Sequence, residues 1–454
     1  MTKTDLIIIG SGPGGYRAAA YAASKGKTVT IVERKALGGT CLNEGCIPTK
    51  TYARNAELMD SLAKSDVFGL NGLQYNFDFS KVVERKDAIL EQLRSAIATI
   101  LSTPGITLVQ GNAAFKDAHT IVVDNEEYSA SDIIIATGSS AKLPRLEEMD
   151  KNMVCTSDWL LATKELPKRL CIVGAGVIGM EFAGIFRSFG CDVTVIEFLK
   201  ECLPALDSDI AKRLRKVLEK RGVEFYMQSA VKSIKDGTVI FERKGKSTTV
   251  EADKVLLAVG RKPNLEDMNI EASGVEYDAK GIHVDDNMMT NVSGVYAIGD
   301  VNGRQMLAHA ATMQGYRAVN HILGLSDGIN FIIMPAAIFT NPEAASVGVS
   351  EDMCKEQGIS YHCQRANYRA NGKAMAMDET EGMLKLIADS EGKIIGCHVY
   401  GAHAADMAQE ISALMCLNTT VFQLKDMVHI HPTIGEMMQG AAEQMVANDF
   451  KPSI

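Results

Sequence analysis

Cys41 and Cys46 stand five residues apart in Gly38-Gly39-Thr40-Cys41-Leu42-Asn43-Glu44-Gly45-Cys46-Ile47-Pro48-Thr49-Lys50. Two thiols at that spacing among glycines, with a proline and a lysine just beyond, suit a dithiol set against something reactive. A pair of buried free cysteines is the competing reading, since cysteine is among the most often buried residue types. The chain also carries two glycine-rich turns. Gly10-Ser11-Gly12-Pro13-Gly14-Gly15 follows the apolar run Leu6-Ile7-Ile8-Ile9, and Gly174-Ala175-Gly176-Val177-Ile178-Gly179 follows Leu170-Cys171-Ile172-Val173. Each turn opens a helix, and each is followed by a strand ending in an acid, Glu33 or Glu197, 23 residues past the first glycine. An acid at that place suits a ribose hydroxyl, while glycines let the backbone approach a pyrophosphate at a helix N-terminus. A lone GxGxxG is weak evidence. Two complete units in one chain imply two dinucleotides, and the thiol pair begins eight residues after the first acid.

A chain of 454 residues, 46% of them hydrophobic, is too long for one ordinary core and predicts two to four domains. Lys and Arg number 47 against 56 Asp and Glu, a net charge of −9 spread along the chain, which argues against nucleic-acid or anionic-membrane binding. No apolar run approaches the roughly 18 residues a membrane span needs; Ile329 to Thr340 is short and carries Asn330 and Pro335. The N-terminal residues lead straight into a four-residue apolar strand, with no room for a signal or transit peptide, so the expectation is the bacterial cytosol. Outside the first pair the other eight cysteines are scattered, which fits a reducing compartment where a disulfide is catalytic, and no Cys/His spacing resembles a zinc site.

Organisation follows from the pattern of elements. Residues 51 to 103 read as helical, with apolar positions Val82, Val83, Leu90, Leu93, Ile97 and Leu101. Residues 111 to 123 read as strands of a small antiparallel meander leading to the buried strand Ile133-Ile134-Ile135 and the turn Ala136-Thr137-Gly138-Ser139. Pro144 and the charged residues 147 to 150 suggest a boundary, after which come the second nucleotide unit, an amphipathic helix near 209 to 221, and a closing strand from Lys254. The chain returns to the first unit at 290 to 300, and a helix follows over 310 to 324. From Phe331 strands with polar interruptions take over, and two helices close the chain. The expected domains are 1–145, 146–264, 265–330 and 331–454, the third completing the first.

The run GGTC-L-N-x-G-C-I-P-x-K resembles the redox-active disulfide segment of the class I pyridine nucleotide-disulfide oxidoreductases, and among them the dihydrolipoamide dehydrogenases. The likeness spans nearly the whole chain. It includes Ala136-Thr137-Gly138, the AxGRxPN turn Ala258 to Asn264, Tyr296 to Asp300 with Met306-Leu307-Ala308-His309, and His429 to Glu436 as HxHPTxxE. It implies an α/β fold of two Rossmann-like domains plus a C-terminal α+β interface domain. By the same resemblance FAD is held by Gly10, Gly12, Gly14, Gly15, Glu33, Thr40, Lys50, Ala113, Thr137, Gly138, Ser139, Asp300, Met306, Leu307, Ala308 and His309. Asp300 has a plainer reading as a turn aspartate. NAD is assigned to Gly174, Gly176, Val177, Ile178, Gly179, Glu181, Glu197, Val231 and Gly260; Phe198 and Leu199 offer no Arg for a 2′-phosphate.

The resemblance also implies roles. Cys46 becomes the flavin-facing thiolate and Cys41 exchanges with substrate sulfur, a step that needs a base. His431 fits that need, with Glu436 orienting its imidazole. Lys50 and Glu181 are expected to pair near the flavin, although each alone reads as an ordinary exposed charge. The implied activity is oxidation of protein-bound dihydrolipoyl groups to the disulfide with reduction of NAD. The implied partners are a lipoyl-bearing acyltransferase or glycine-cleavage H protein, and a second copy of the chain in a homodimer with shared active sites. Met437-Met438 and Met445-Val446 offer apolar material for that interface, with ordinary core as the alternative. A glutathione-reductase-like enzyme is the nearest rival; a structural or regulatory flavoprotein subunit is the rival of another class, and the intact Cys41, Cys46, His431 and Glu436 argue against it. The tail Asn448 to Ile454 has no cysteine for an extra redox centre. Three departures from the family pattern stand out: Glu44 between the cysteines, Gln314 before Gly315, and Asn371-Gly372-Lys373-Ala374.

Overall fold

The computed structural model describes residues 1–450, so the last four residues of that tail lie outside it. Its first sheet is built on β1 (Thr2–Ile9), whose apolar half is fully buried, as a strand covered on both faces must be. β2 (Val29–Glu33) pairs parallel on one side of it and carries β3 (Ile106–Gln110) beyond. β4 (Ala113–Asp117) and β5 (Thr120–Val123) form the meander, which runs antiparallel into β6 (Glu126–Ile135), the strand on the other side of β1. The far edge of β6 is shared, by β5 along its first half and by the returning strand Val295–Ala297 along its last.

Helix α1 (Pro13–Ser24) leaves β1 through Gly10, whose φ of +105° and close approach to the Ala136 carbonyl leave no space for a Cβ. The redox segment forms α2 (Gly39–Asn43) and then α3 (Cys46–Ala63). The expected long helix over 51–103 is broken. Left-handed Gly69 and Gly72 interrupt it, and Asp78 accepts from the Ser80 N–H at 2.9 Å to cap a new helix, α4 (Phe79–Leu101). Of its apolar stripe, Val82, Val83, Leu90, Ile97 and Leu101 are buried, whereas Leu93 is exposed.

The second unit repeats the first. Strands 224–226, 192–196, 169–173, 254–257 and 154–155 lie side by side in a parallel sheet. Helices α5 (Ser157–Ala162), α6 (Val177–Ser188) and α7 (Ser208–Lys220) connect them. Gly174, at φ +106°, sits against the Ala258 carbonyl as Gly10 sits against Ala136. An antiparallel sheet of strands 229–235, 238–243 and 246–251 was not anticipated from the sequence. Its signals were the two-residue turns Asp236-Gly237 and Lys244-Gly245, every residue of which is left-handed, as tight hairpins require. The chain enters and leaves this unit through paired strands, Ser139–Ala141 against Arg261–Pro263. It then returns to β6, and α8 (Ala308–Ile322) packs against α1 with Gly315 close to the Gly14 carbonyl.

The C-terminal part is a five-stranded antiparallel sheet ordered 336–338, 344–348, 394–400, 383–388, 362–367. Two long helices, 404–416 and 436–449, cover it, with three shorter ones between strands and loops. Met437, Met438 and Met445 are buried in this core with Met407 and Ile411. They fill their own chain's interior and are not available to an interface. The most exposed apolar side chains of this part include Val428 and Ile430, on the approach to the final helix, 99% and 80% accessible.

Candidate active site

One cavity of about 1180 Å³ runs along both nucleotide units, from Gly10, Gly12 and Glu33 past Thr40, Cys41, Cys46 and Lys50 to Gly176, Glu197 and Gly260. Cys41 and Cys46 are disulfide-bonded at its middle, with a Cα–Cα distance of 4.7 Å. Cys41 lies in α2, and Cys46 is the first residue of the 18-residue α3, where unpaired N–H groups and the helix dipole favour a thiolate. Asn43, which the sequence did not single out, locks the loop. Its amide donates to the Leu37 and Gly39 carbonyls at 2.9 Å each and accepts from Arg94 at 3.1 Å.

The two glycine turns fit phosphate-bearing groups. A Cβ at Gly12 or at Gly176 would meet no protein atom within 4 Å, so it would project into the open cavity. Neither α1 nor α6 has a side-chain N-cap, which leaves their first N–H groups for an anion. Gly15 and Gly179 sit behind the turns: an added Cβ would come within 1.9 Å of the Gly10 carbonyl oxygen or 2.0 Å of that of Gly174. They serve the packing of helix on turn. Glu33 accepts from the Ser11 N–H and hydroxyl at 2.9 and 2.6 Å and from the Lys35 N–H at 2.8 Å. Glu197 accepts from the Ala175 and Leu199 N–H groups at 2.5 and 2.7 Å. Both acids are thus held rigid at the mouths of their turns.

Lys50 on α3 donates to both oxygens of Glu181 on α6 at 3.0 Å. Glu181 is buried and also accepts from the Phe339 N–H at 2.8 Å, while the Lys50 ammonium lies 4.7 Å from the Phe339 ring centroid. This ion pair therefore joins all three parts of the fold beside the dithiol. Ser139 donates to Asp300 at 2.5 Å and accepts from Arg261 at 2.7 Å. Arg261, seen in the sequence only as part of a turn motif, is the cation that ties the crossing strands to this corner.

Ala113, Thr137, Gly138, Val177, Ile178, Val231, Met306, Leu307 and Ala308 line the cavity as well. His309 does not; its Nε2 lies 2.8 Å from the Pro335 carbonyl. Gln314 is buried and accepts from the Gly299 N–H at 2.7 Å and Asn302 at 2.9 Å, a bracing role for the loop that carries Asp300.

His431 and Glu436 come together away from the cavity. His431 Nδ1 is 2.9 Å from the Glu436 carboxylate, whose other oxygen accepts from the Thr433 N–H at 2.8 Å. That N–H first, and the imidazole second, hold the Glu436 carboxyl below its ordinary range. With Nδ1 engaged, Nε2 is the free position, and the ring is 82% accessible. Asn371 donates to the Thr433 carbonyl at 2.9 Å and so fixes the loop that presents the pair. Within one chain, the dithiol and the exposed His431–Glu436 pair lie apart.

Six of the eight remaining thiols are buried. Burial pushes Cys155, Cys171, Cys191 and Cys397 up to about 12. No helix among the described residues is long and apolar enough to cross a membrane.

Residues 4–315 match the pyridine nucleotide-disulphide oxidoreductase family, and residues 334–442 match the dimerisation domain of the same family. A dihydrolipoyl dehydrogenase of Bacillus subtilis is 37% identical over 98% of this chain and 97% of its own length. The mitochondrial dihydrolipoyl dehydrogenase of Pisum sativum is 36% identical over 97% of this chain and 91% of its own. Among solved structures, the HOCl-induced flavoprotein disulfide reductase RclA from Escherichia coli superposes with a TM-score of 0.87 at 27% identity, covering 97% of this chain and 99% of that one.

Proposed function

The chain belongs to the pyridine nucleotide-disulphide oxidoreductases, and from that membership we propose that it oxidises protein-bound dihydrolipoyl groups to the lipoyl disulfide and reduces NAD. The observation that carries the reading is the single cavity in which the Cys41–Cys46 disulfide lies between two dinucleotide cradles. FAD fits the first, through Gly12, Glu33 and the N-terminus of α1; NAD fits the second, through Gly176, Glu197 and the N-terminus of α6. A bound flavin supplies the two-electron transfer between dithiol and nicotinamide that no side chain performs.

The side chains handle sulfur and protons. A substrate thiol gives its proton to a base and attacks Cys41; the Cys41–Cys46 bond breaks, and Cys46 keeps the electron pair as a thiolate at the start of α3. The second substrate sulfur then displaces Cys41, closing the lipoyl ring and leaving the protein reduced by two electrons. The base must be an imidazole held in one tautomer, and His431 meets that need through Nε2 because Glu436 holds Nδ1. Since His431 lies apart from its own chain's cavity, we place it over the dithiol of a second copy in a two-fold homodimer, with Val428 and Ile430 buried at the contact. The natural substrate is a lipoyl group on an acyltransferase or a glycine-cleavage H protein, met in the bacterial cytosol.

The test is an assay of the purified yellow protein with dihydrolipoamide or reduced glutathione against NAD or NADP. Turnover confined to dihydrolipoamide with NAD is expected; glutathione turnover with NADP would overturn the reading. The shared site is tested by mixing Cys41→Ser with His431→Gln protomers. A heterodimer recovers up to one working site if the bases are exchanged, and one that forms without activity refutes the exchange.

A further inference from the structure

Glu44 is the only ionisable side chain between the two cysteines. Its N–H donates to the Thr40 carbonyl at 2.8 Å, which closes α2 and fixes residue 44 on the link between the helix of Cys41 and the helix of Cys46. Two backbone steps to Cys46 and three to Cys41 put it at most about 7 Å and about 11 Å from them along the chain, Cα to Cα. Glu44 lines the same cavity as Cys41 and Cys46. Its one cationic partner among the described residues is Lys35, 3.5 Å away, on the segment that follows Glu33; the side chains are 68% and 42% accessible for Lys35 and Glu44.

Two other charged side chains near the loop are paired. Lys50 from α3 is bound to Glu181 from α6, and Arg94 from α4 is bound to Glu91 at 2.9 Å. Glu33, on the strand before Lys35, has its carboxylate engaged by three donors. The Lys35–Glu44 pair is longer than these and open to solvent, so its attraction is weak and leaves the carboxylate's charge incompletely cancelled. A negative charge near the pair disfavours a thiolate.

We propose that Glu44 is an electrostatic tuning residue that makes the Cys41–Cys46 disulfide harder to reduce, with Lys35 setting how much of that effect is expressed. The two substitutions then act with opposite sign. Glu44→Gln removes the charge that opposes Cys46 thiolate and favours the reduced form, whereas Lys35→Gln removes the compensating cation and favours the disulfide. A purely structural role for the pair would shift both variants the same way, because both lose the same contact. The inference rests on the reading of Cys41 and Cys46 as the working dithiol.

The test equilibrates the flavin-loaded protein at pH 7 with mixtures of reduced and oxidised dithiothreitol, then quenches with iodoacetamide and counts labelled Cys41 and Cys46 by mass spectrometry. Two electrons pass from the dithiothreitol dithiol, which closes to its cyclic disulfide. The Cys41–Cys46 bond opens, and each sulfur takes up a proton or remains a thiolate. We expect Glu44→Gln to raise the equilibrium constant for reduction about tenfold, about 30 mV for this two-electron couple. Lys35→Gln should lower it severalfold, and the double variant should match Glu44→Gln within about twofold. The alkylation rate of reduced Glu44→Gln should reach half its maximum at a lower pH than in the parent protein. Shifts of one sign in both single variants, or shifts below twofold in both, overturn the proposal. Failure of the parent disulfide to open with NADH strikes the underlying reading instead, and the dithiothreitol titration is independent of that step.

Discussion

The first and second nucleotide units carry the same fingerprint, the same 23-residue offset to an acid and the same glycine contact at the start of the turn, yet they are finished differently. In the first, Ser11 adds a hydroxyl to the carboxylate of Glu33 and also receives the Gly38 N–H at 3.4 Å, so the Glu33 end of the cradle is tied to the loop of Cys41 and Cys46. In the second the matching residue is Ala175, which offers its N–H alone. Helix α8 lies against α1 in the first unit, with a Cβ at Gly14 only 3.0 Å from the Ala311 carbonyl. In the second, the residue matching Gly14 is Ile178, and Val177 and Phe198 are exposed. On the proposed assignment of FAD to the first unit and NAD to the second, the first copy would retain its nucleotide and the second would release it.

The largest expected effect falls between the units. Cys41→Ser should lower dihydrolipoamide turnover at least about a thousandfold while NADH still bleaches the flavin in stopped-flow absorbance. Loss of both would mean Cys41 serves the nicotinamide side.

The glycines break the comparison more cleanly. Gly12→Ala and Gly176→Ala both place a methyl in open cavity, so each protein should melt within a few degrees of the parent apoprotein. Gly12→Ala should emerge colourless from gel filtration. Gly176→Ala should stay yellow and show a KM for NAD raised roughly tenfold or more, on the order of one lost close contact to phosphate. Yellow protein from Gly12→Ala would show that retention does not depend on that approach.

Ser11 sharpens the point at smaller scale. Ser11→Ala makes the first cradle resemble the second and removes a charge-assisted hydrogen bond worth about 1.5–3 kcal/mol, so flavin should dissociate on the order of ten- to a hundredfold more readily. Calorimetry or fluorescence of released flavin reads it directly. An unchanged dissociation constant would assign retention to the helices alone.

The smallest effect concerns how the second unit is seated on the C-terminal sheet. The Asp207 N–H donates to His398 Nδ1 at 3.1 Å, and Lys385 is bound to Asp207 and Glu351 at 2.7 and 2.9 Å. Burial pulls His398 down to about 4, so it folds neutral. An unfolded histidine takes up its proton near 6.5, so this stability is present above that pH and is lost as pH falls through 4, on the order of 1 kcal/mol per pH unit. Melting temperature between pH 7 and 4.5 should therefore fall more steeply in the parent protein than in His398→Gln. Equal slopes would remove His398 from the account.

The legible parts were those with short-range causes. Two apolar strands feeding glycine turns, acids at a set distance and a dithiol among glycines each declare themselves locally, and both turns, both acids and the dithiol contribute to one cavity. The break after α3 depended on two left-handed glycines inside an otherwise helical pattern, and the sheet over 229–251 on two tight turns flanked by polar strands. Asn43 and Arg261 could not be picked out because their work is done by partners far along the chain, Arg94 and Ser139. The C-terminal methionines show the limit of apolarity as a signal, since a buried helix face and an interface have the same composition.

The central claim is that electrons entering at the second cradle open the disulfide beside the first. Oxidised protein treated with iodoacetamide under denaturing conditions, before and after anaerobic addition of NADH, tests it in one mass spectrum. The account predicts Cys41 and Cys46 unlabelled before NADH and both labelled after it, with the eight other cysteines labelled in both samples. Full labelling of Cys41 and Cys46 before NADH, or none after it, would contradict it.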